Sequence, residues 1–451
     1  MADSICRWQC PESWSEWSNW LAAGLDARNR WRLPVLLVGM LLASGRRTVT
    51  TWLRAAGVSD DYQDYYYFLV GVGRKSELIA TRLVALVLAT LPLAERVLLV
   101  IDDSPTRRYG PKVEGADVHH NPTPGPAGPP FLYGHVWVTV SLALRHPQWG
   151  PLALPLRAML YVRKQTMATV PRFRRWPRFA TKLQLAARLV EWIVPLLKKA
   201  GKTVWIVVDG GYTKRPFLRR ALATGVTIVG RLRKDAHLRD LPPKLKRGQR
   251  RPRGRPRKYG KNRISLAKRA GQSRGWHTVE CIVYGKAERK ACKSFLATYG
   301  PVGGVIRVVL VKEDHGGWHA LVSTDPSASA QNIVEEFADR ATIEQDFHDV
   351  KGVWGSGQQQ VRNIWTNLAV YNVNLWMHTL VELWAWNRSG PQFVDREDSP
   401  WDDPARRPSH ANRRKALRQH ILRNELSNIT AVWSLPPKII QLAKSLVALA
   451  A

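Results

Sequence analysis

The chain has 451 residues and a formal net charge of +34, from 69 Lys and Arg against 35 Asp and Glu. This excess favours a polyanionic partner, nucleic acid above all, while 45% hydrophobic residues allow substantial cores and exclude a disordered basic tail. No apolar stretch is long enough for a membrane span and the first residues lack a secretory pattern, so we expect a cytoplasmic protein without membrane contact. The four cysteines lack the spacing of a zinc site or a disulfide framework.

Residues 1–94 are rich in Trp, Leu and Ala, with a helical periodicity broken by glycines and proline. Within them, the stretch from Gly45 to Lys75 predicts a helix, a turn and a second helix, with Arg46 and Arg47 available to DNA phosphates. Plain packing of a small helical module is the alternative interpretation. We predict a helical N-terminal DNA-binding domain.

Short apolar runs typical of strands begin at about residue 95. The first run ends on Asp102 and Asp103, and a later one ends on Asp209 after an intervening helical pattern. The Pro- and Gly-rich segment 113–130 is expected to have no regular structure. Residues 95–230 therefore predict a mixed sheet with flanking helices.

The most basic part of the chain opens the segment 231–329 and is followed by strand-like runs, which predict a β-rich insertion. Its RGRPRK stretch resembles an AT-hook, whose arginines lie in the DNA minor groove. A solvated, nonspecific phosphate tether is an equal alternative. The DNA-binding candidates in this stretch are Arg253, Arg255, Arg257 and Lys258.

One helical stretch carries five regularly spaced side chains, Phe337, Arg340, Glu344, Phe347 and Lys351. On a single helix all five project from one stripe. A carboxylate one turn from an arginine suits a site that handles phosphate. A surface helix with favourable i,i+4 pairs is the alternative.

Carboxylates at the ends of predicted strands suggest a metal site. The carboxyl ends of strands form the ligand-binding edge of an open α/β sheet, and Asp102 and Asp209 should converge there. Converging carboxylates repel one another unless cations lie between them, and two Asp with a Glu suit Mg²⁺ or Mn²⁺ better than zinc. Capping a turn or a helix is the alternative role for each Asp.

The spacing of Phe337, Arg340, Glu344 and Lys351 resembles the Tyr-x2-Arg-x3-Glu-x6-Lys signature of one branch of the DDE-superfamily insertion-sequence transposases, with phenylalanine in place of tyrosine. The resemblance implies an α/β, RNase H-like catalytic core interrupted by a β-rich insertion. It also implies that Phe337, Arg340 and Lys351 contact DNA. The expected partners are double-stranded DNA, as terminal inverted repeats and target, and a second copy in a homodimer that pairs two DNA ends. The expected location is the bacterial nucleoid.

The same resemblance implies that Asp102, Asp209 and Glu344 are the catalytic acids and hold two Mg²⁺ or Mn²⁺ ions. Asp103 is the alternative to Asp102. It also implies that Trp318 stacks on a flipped base, although simple packing within the insertion is the alternative.

The function predicted on this basis is metal-dependent strand cleavage and strand transfer at the ends of an insertion sequence. A noncatalytic DNA-binding protein and an RNase H-fold nuclease without strand transfer are the alternatives. The predicted domains are a helical N-terminal domain at 1–94, a first core part at 95–230, the insertion at 231–329, a second core part at 330–390 and a C-terminal helical region at 391–451.

Overall fold

Helices open the chain in this computed structural model, which describes residues 8–121, 128–243, 254, 256–394, 401–403, 405–432 and 436–450. The first five helices are α1 (Glu12–Ala22), α2 (Arg32–Leu42), α3 (Val49–Ala55), α4 (Tyr62–Arg74) and α5 (Ser76–Thr90). The predicted helix, turn and helix correspond to α3 and α4. Thr48 caps α3, because its hydroxyl accepts a hydrogen bond from the N–H of Thr51.

One sheet of twelve strands runs through the described residues. The strands are β1 (Arg96–Arg107), β2 (Asp117–His120), β3 (Phe131–His146), β4 (Gly150–Tyr161), β5 (Thr203–Val208), β6 (Thr227–Leu232), β7 (Leu238–Arg239), β8 (Arg263–Ile264), β9 (His277–Val283), β10 (Lys286–Tyr299), β11 (Gly304–Lys312) and β12 (Trp318–Ser323).

The order β4-β3-β1-β5-β6 defines the core of this sheet. β3 is antiparallel to β1 and to β4, whereas β5 is parallel to β1 and β6 is parallel to β5. The parallel strands are joined through α6 (Lys182–Lys199) and α7 (Arg215–Ala223). This arrangement is the RNase H-like mixed sheet with flanking helices that the sequence predicts.

The β-rich segment continues the same sheet beyond β6. β12 pairs with β6, and β11 and β10 follow in order. β7 and β8 pair with each other at the far end of the sheet. The short helix α8 (Leu266–Gly271) follows β8.

The long helices of the C-terminal part are α9 (Ala330–Asp339), α10 (Ala341–Gly352), α11 (Ile364–Ala385), α12 (His410–Val432) and α13 (Pro437–Ala450). α11 is buried along nearly all its length. It packs closely on α4, because a Cβ atom at Gly73 would lie 2.0 Å from the carbonyl oxygen of Trp365. None of the helices in the described ranges is long and apolar enough to cross a membrane.

Two sequence predictions of local structure are wrong. Segment 113–130 contains the strand β2, because pairing with the start of β3 orders residues that Pro and Gly alone would leave irregular. The predicted single helix with five residues on one stripe is two helices, α9 and α10. They meet at Arg340, where the N–H of Arg340 donates to the Phe337 carbonyl and the N–H of Ile343 donates to the Arg340 carbonyl, three residues apart in each case.

Candidate active site

Asp102 and Asp103 lie within β1, which continues to Arg107 and does not end on these acids as the sequence predicts. They point to opposite faces of the sheet, as successive residues of a strand must. Asp103 faces α6, where its carboxylate accepts hydrogen bonds from Lys182 Nζ (2.6 Å) and the Tyr212 hydroxyl (2.7 Å). Asp102 faces α9 and α10, on the same side as Val100. The carboxylate of Asp103 is thus held by structural partners, and the one open to the candidate site is that of Asp102.

Asp209 lies beside Asp102 on the neighbouring parallel strand. Ile101 of β1 pairs with Val208 of β5, and the residue that follows each of them is the aspartate, Asp102 or Asp209. Neighbouring strands are about 4.8 Å apart, which brings the two carboxylates close together on one face. Asp209 Oδ1 also accepts hydrogen bonds from the N–H groups of Gly211 (2.9 Å) and the following residue, so the turn-forming role is real as well.

Glu344 reaches the same place from α10. Arg340 at the junction of α9 and α10 donates one guanidinium N–H to Asp102 Oδ2 (2.8 Å) and another to Glu344 Oε1 (2.6 Å). The two carboxylates therefore contact opposite sides of one guanidinium group. The side chain of Asp102 is only 18% exposed, whereas that of Glu344 is 59% exposed.

The environment of Asp102 disfavours its charge. Burial above all, and then the negative charge of Asp209, raise the pKa of Asp102 to about 7 against the opposing effect of Arg340. Burial and the charge of Asp209 together outweigh the effect of the arginine on this carboxylate. A site with this imbalance attracts additional cations.

A comparison with protein-family models matches residues 21–293 to the family described as DDE superfamily endonuclease. This match spans more than half of the chain. The chain belongs to the DDE superfamily endonucleases. The matched segment contains Asp102 and Asp209 and ends before Glu344.

Other comparisons add little to the family assignment. One solved structure, a piggyBac transposase synaptic complex with hairpin DNA, is similar over 97% of this chain and 76% of its own chain, with 12% sequence identity and a TM-score of 0.41. No curated protein matches the sequence.

The donor set of this DDE endonuclease fits a divalent metal. DDE superfamily enzymes generally use divalent metal ions. Hard oxygen donors from Asp102, Asp209 and Glu344 suit Mg²⁺ or Mn²⁺. The guanidinium of Arg340 places a positive charge between two of these carboxylates.

The other residues of the predicted signature lie on both sides of this site. Phe337 is half-buried and packs against the hydrophobic core beneath α9 and α10. The guanidinium of Arg340 lies 5.9 Å from the centre of the Phe337 ring. Lys351 lies two turns beyond Glu344, and burial lowers its pKa. It has no carboxylate partner in the part of the chain that the structure describes. Its ammonium is therefore available to an anion.

Trp318 opens β12 at the same edge of the sheet as the acids. It lies two strands from Asp209, or about 10 Å across the sheet. The ring packs against the core of the β-rich segment, and Lys234 Nζ lies 5.0 Å from its centre. Packing thus accounts for Trp318, and base stacking stays a prediction.

The predicted DNA-binding residues elsewhere are in three situations. Arg46 is exposed, whereas Arg47 is half-buried. The backbone N–H of Arg47 donates to Gln358 Oε1 (2.8 Å) and so holds the loop that carries Gln358. Arg257 and Lys258 are exposed in irregular chain. Arg253 and Arg255 lie outside the described residues.

A buried polar cluster behind α10 escapes sequence analysis. His378, Glu382 and His410 lie close enough to hold a metal ion. However, His410 Nδ1 donates to Glu382 Oε1 (2.5 Å) and its Nε2 accepts the Trp354 indole N–H (2.9 Å), so neither nitrogen is free. Arg413 Nε also donates to Glu382 (2.9 Å).

This cluster joins three helices rather than binding a metal. Burial lowers the pKa of His410 to about 4, so the ring is neutral at physiological pH. Burial also opposes the charge of His378, but the nearby carboxylates of Asp349 (3.7 Å), Asp346 (3.9 Å) and Glu382 outweigh it and raise the pKa of His378. The network therefore fixes α10 against α11 and α12. The i,i+4 spacing of His378 and Glu382 was the only signal in the sequence.

Proposed function

We propose that this protein is a transposase that cleaves and joins DNA strands at the ends of an insertion sequence, using Asp102, Asp209 and Glu344. The observation that carries the proposal is that Arg340 joins the carboxylates of Asp102 and Glu344, from distant parts of the chain, while Asp209 follows the strand next to Asp102 and its charge acts on that carboxylate. A noncatalytic DNA-binding protein would have no use for a buried carboxylate whose pKa is raised by its neighbour.

Divalent cations held by Asp102, Asp209 and Glu344 would polarise the scissile phosphate and activate the attacking water or strand hydroxyl. Asp102 would hold such a cation as the carboxylate, because a nearby positive charge favours the deprotonated form. The buried position of Asp102 keeps water away and strengthens the interaction.

Arg340 then becomes available to the substrate. Once Asp102 and Glu344 have other partners, the guanidinium can bind two nonbridging phosphate oxygens, a geometry that lysine does not match. Lys351, half-buried and without a carboxylate among the described residues, supplies a point charge to the adjacent DNA backbone.

The decisive assay uses a plasmid that carries the reading frame with its native flanking DNA. Wild-type protein should cut at the ends of the element only when Mg²⁺ is present, and Glu344→Gln should bind the DNA without cutting it. The matched control is Glu280→Gln, a residue 76% exposed on β9. Cutting by a pure Glu344→Gln preparation, or no cutting by wild type, would overturn the proposal.

Strand transfer separates a transposase from a nuclease of the same fold. A labelled, already cleaved element end is incubated with a target plasmid and Mg²⁺. Covalent joining of the label to the target supports transposition, and hydrolysis without joining supports the nuclease.

A further inference from the structure

Two contiguous cavities, of about 750 and about 650 Å³, lie near the end of β1, and Lys351 lines the larger one. Both are lined by Arg46, Tyr109, Gly357 and Gln358, so together they form one continuous channel. Pro105 and Lys351 in its lining lie about 10 Å along β1 and α10 from Asp102 and Glu344. We call it the side channel. Each cavity has the size of a typical small-ligand site.

The charge of the side channel has one sign. No Asp or Glu is among the described residues that line either cavity. The lining includes the cationic residues Arg46, Arg107, Arg108, Lys112, Lys351 and Arg362. A cleft with cations alone concentrates a positive potential and attracts a polyanion.

The exposed cations of the channel form no ion pairs with carboxylates in the described part of the chain. Arg46, Arg107, Lys112 and Arg362 are exposed, and none has a carboxylate partner within the ranges that the structure describes. On α7, by contrast, Arg220 donates to both carboxylate oxygens of a glutamate. The side-channel cations remain available to phosphate groups.

A buried arginine builds the channel wall. Arg108 is 5% exposed, and its Nε donates to His135 Nδ1 (3.2 Å) while one terminal nitrogen donates to the carbonyl oxygens of Gly357 (3.3 Å) and Gln359 (2.8 Å). Burial lowers the pKa of Arg108 to about 10, so the group stays charged at neutral pH. Gln359 Nε2 donates in turn to the Arg47 carbonyl (3.0 Å). The wall is thus formed before any ligand arrives.

An aromatic ring lies where the two cavities meet. Tyr109 is 74% exposed, although large apolar rings are normally covered, and it lines both cavities. An exposed ring between cations is the arrangement with which proteins bind single strands, because an unpaired base stacks on the ring while cations follow the backbone. The bases of a duplex are already stacked and offer no free face. Gln358 and Asn121 in the lining can hydrogen-bond to base edges.

We propose that the side channel binds an unpaired DNA strand adjacent to the scissile phosphate. Arg46, Arg107, Lys112 and Arg362 contact its phosphates, and Tyr109 stacks on one of its bases. This inference rests on the proposed function, because it assigns the path of the DNA strand at the same active site.

The test measures binding of full-length protein in EDTA, without cleavage, to a fluorescent duplex of mixed sequence. The duplex is either blunt or carries a single-stranded extension of about six nucleotides at its 3′ or its 5′ end. Wild-type protein should bind at least one extended form more tightly than the blunt form. Tyr109→Ala should weaken binding of that form about 5- to 150-fold and leave blunt binding unchanged. Tyr109→Phe should bind like wild type.

Matched controls isolate the channel from general surface effects. Tyr67→Ala removes a ring on α4 that is equally exposed at 74%, and it should retain the preference for the extension. The double variant of Lys112→Ala and Arg362→Ala should reduce the salt slope for the extended form by about 1.4, at about 0.7 per phosphate contact of a single strand. Lys199→Ala, at the end of α6 and the opposite edge of the sheet, should not change it.

The outcomes separate this inference from the proposed function. Absence of a wild-type preference for either extension, or equal effects of Tyr109→Ala on blunt and extended forms, overturns the side channel even if the plasmid assay shows cleavage. Selective loss with Tyr109→Ala supports the side channel even if wild-type protein never cleaves DNA.

Discussion

The charge of Asp102 destabilises the metal-free protein, so its removal should stabilise the fold. Asp102→Asn keeps the shape of the side chain and removes the charge. The pKa of Asp102 is about 7 in the fold against 3.8 in a model peptide, first because of burial and then because of Asp209. A raised folded-state pKa means that stability is fully present below about pH 4 and is lost as the pH rises through 7.

The magnitude follows from this difference in pKa. About 3 pKa units correspond to about 4 kcal/mol at pH 8, from which about 1 kcal/mol is subtracted for imperfect hydrogen bonds of the amide. With an unfolding entropy of about 2.1 cal/mol/K per residue over 451 residues, the remaining ~3 kcal/mol raises the melting temperature by about 3 °C. At pH 5 the difference in free energy of unfolding between Asp102→Asn and wild type should be smaller by roughly 2–3 kcal/mol, because Asp102 in folded wild type is then protonated.

The assay is thermal unfolding in EDTA at both pH values. Asp103→Asn is the control, because it removes a carboxylate that accepts hydrogen bonds from Lys182 and Tyr212, and it should lower the melting temperature at pH 8. If Asp102→Asn melts no higher than wild type at pH 8, or if its difference from wild type is the same at pH 5, the electrostatic account of the site is wrong.

Three further predictions concern the site and its support. Mg²⁺ should raise the melting temperature of wild type and of Glu280→Gln at pH 8 but hardly that of Glu344→Gln; equal shifts in all three would contradict metal binding by Glu344. Arg340→Ala should weaken binding to duplex DNA and reduce its salt slope by about 0.9, and an unchanged slope would exclude a phosphate contact. Glu382→Gln should destabilise the protein by about 3–5 kcal/mol in urea unfolding, because it leaves buried Arg413 unpaired, and an unshifted urea midpoint would contradict the role of the buried cluster.

The sheet and two of its acids were predictable because local signals agree with the tertiary structure. Buried parallel strands are continuous apolar runs, and the runs before Asp102 and Asp209 lie in β1 and β5. β5 ends just before Asp209 as predicted, whereas β1 continues past Asp102 to Arg107. Alternation along a strand also shows that Asp102 and Asp103 face opposite ways. Which face holds the site depends on where α9 and α10 pack, and the sequence of β1 does not contain that information.

The features that the sequence does not predict depend on contacts between segments that are distant in the chain. The helix break at Arg340 follows no Pro or Gly, and the strand β2 exists only through pairing with β3. The buried cluster needs His410, which comes 28 residues after Glu382. Tyr109 lies just past the end of β1, and its place in a basic channel arises from packing with the loop around Gly357.

The most direct measurement of the central claim is a crystal structure with Mn²⁺, located by its anomalous scattering. The account predicts Mn²⁺ bound by Asp102, Asp209 and Glu344, with the guanidinium of Arg340 displaced from both carboxylates that it now contacts. No Mn²⁺ at these residues, with Arg340 still bridging Asp102 and Glu344, would contradict it.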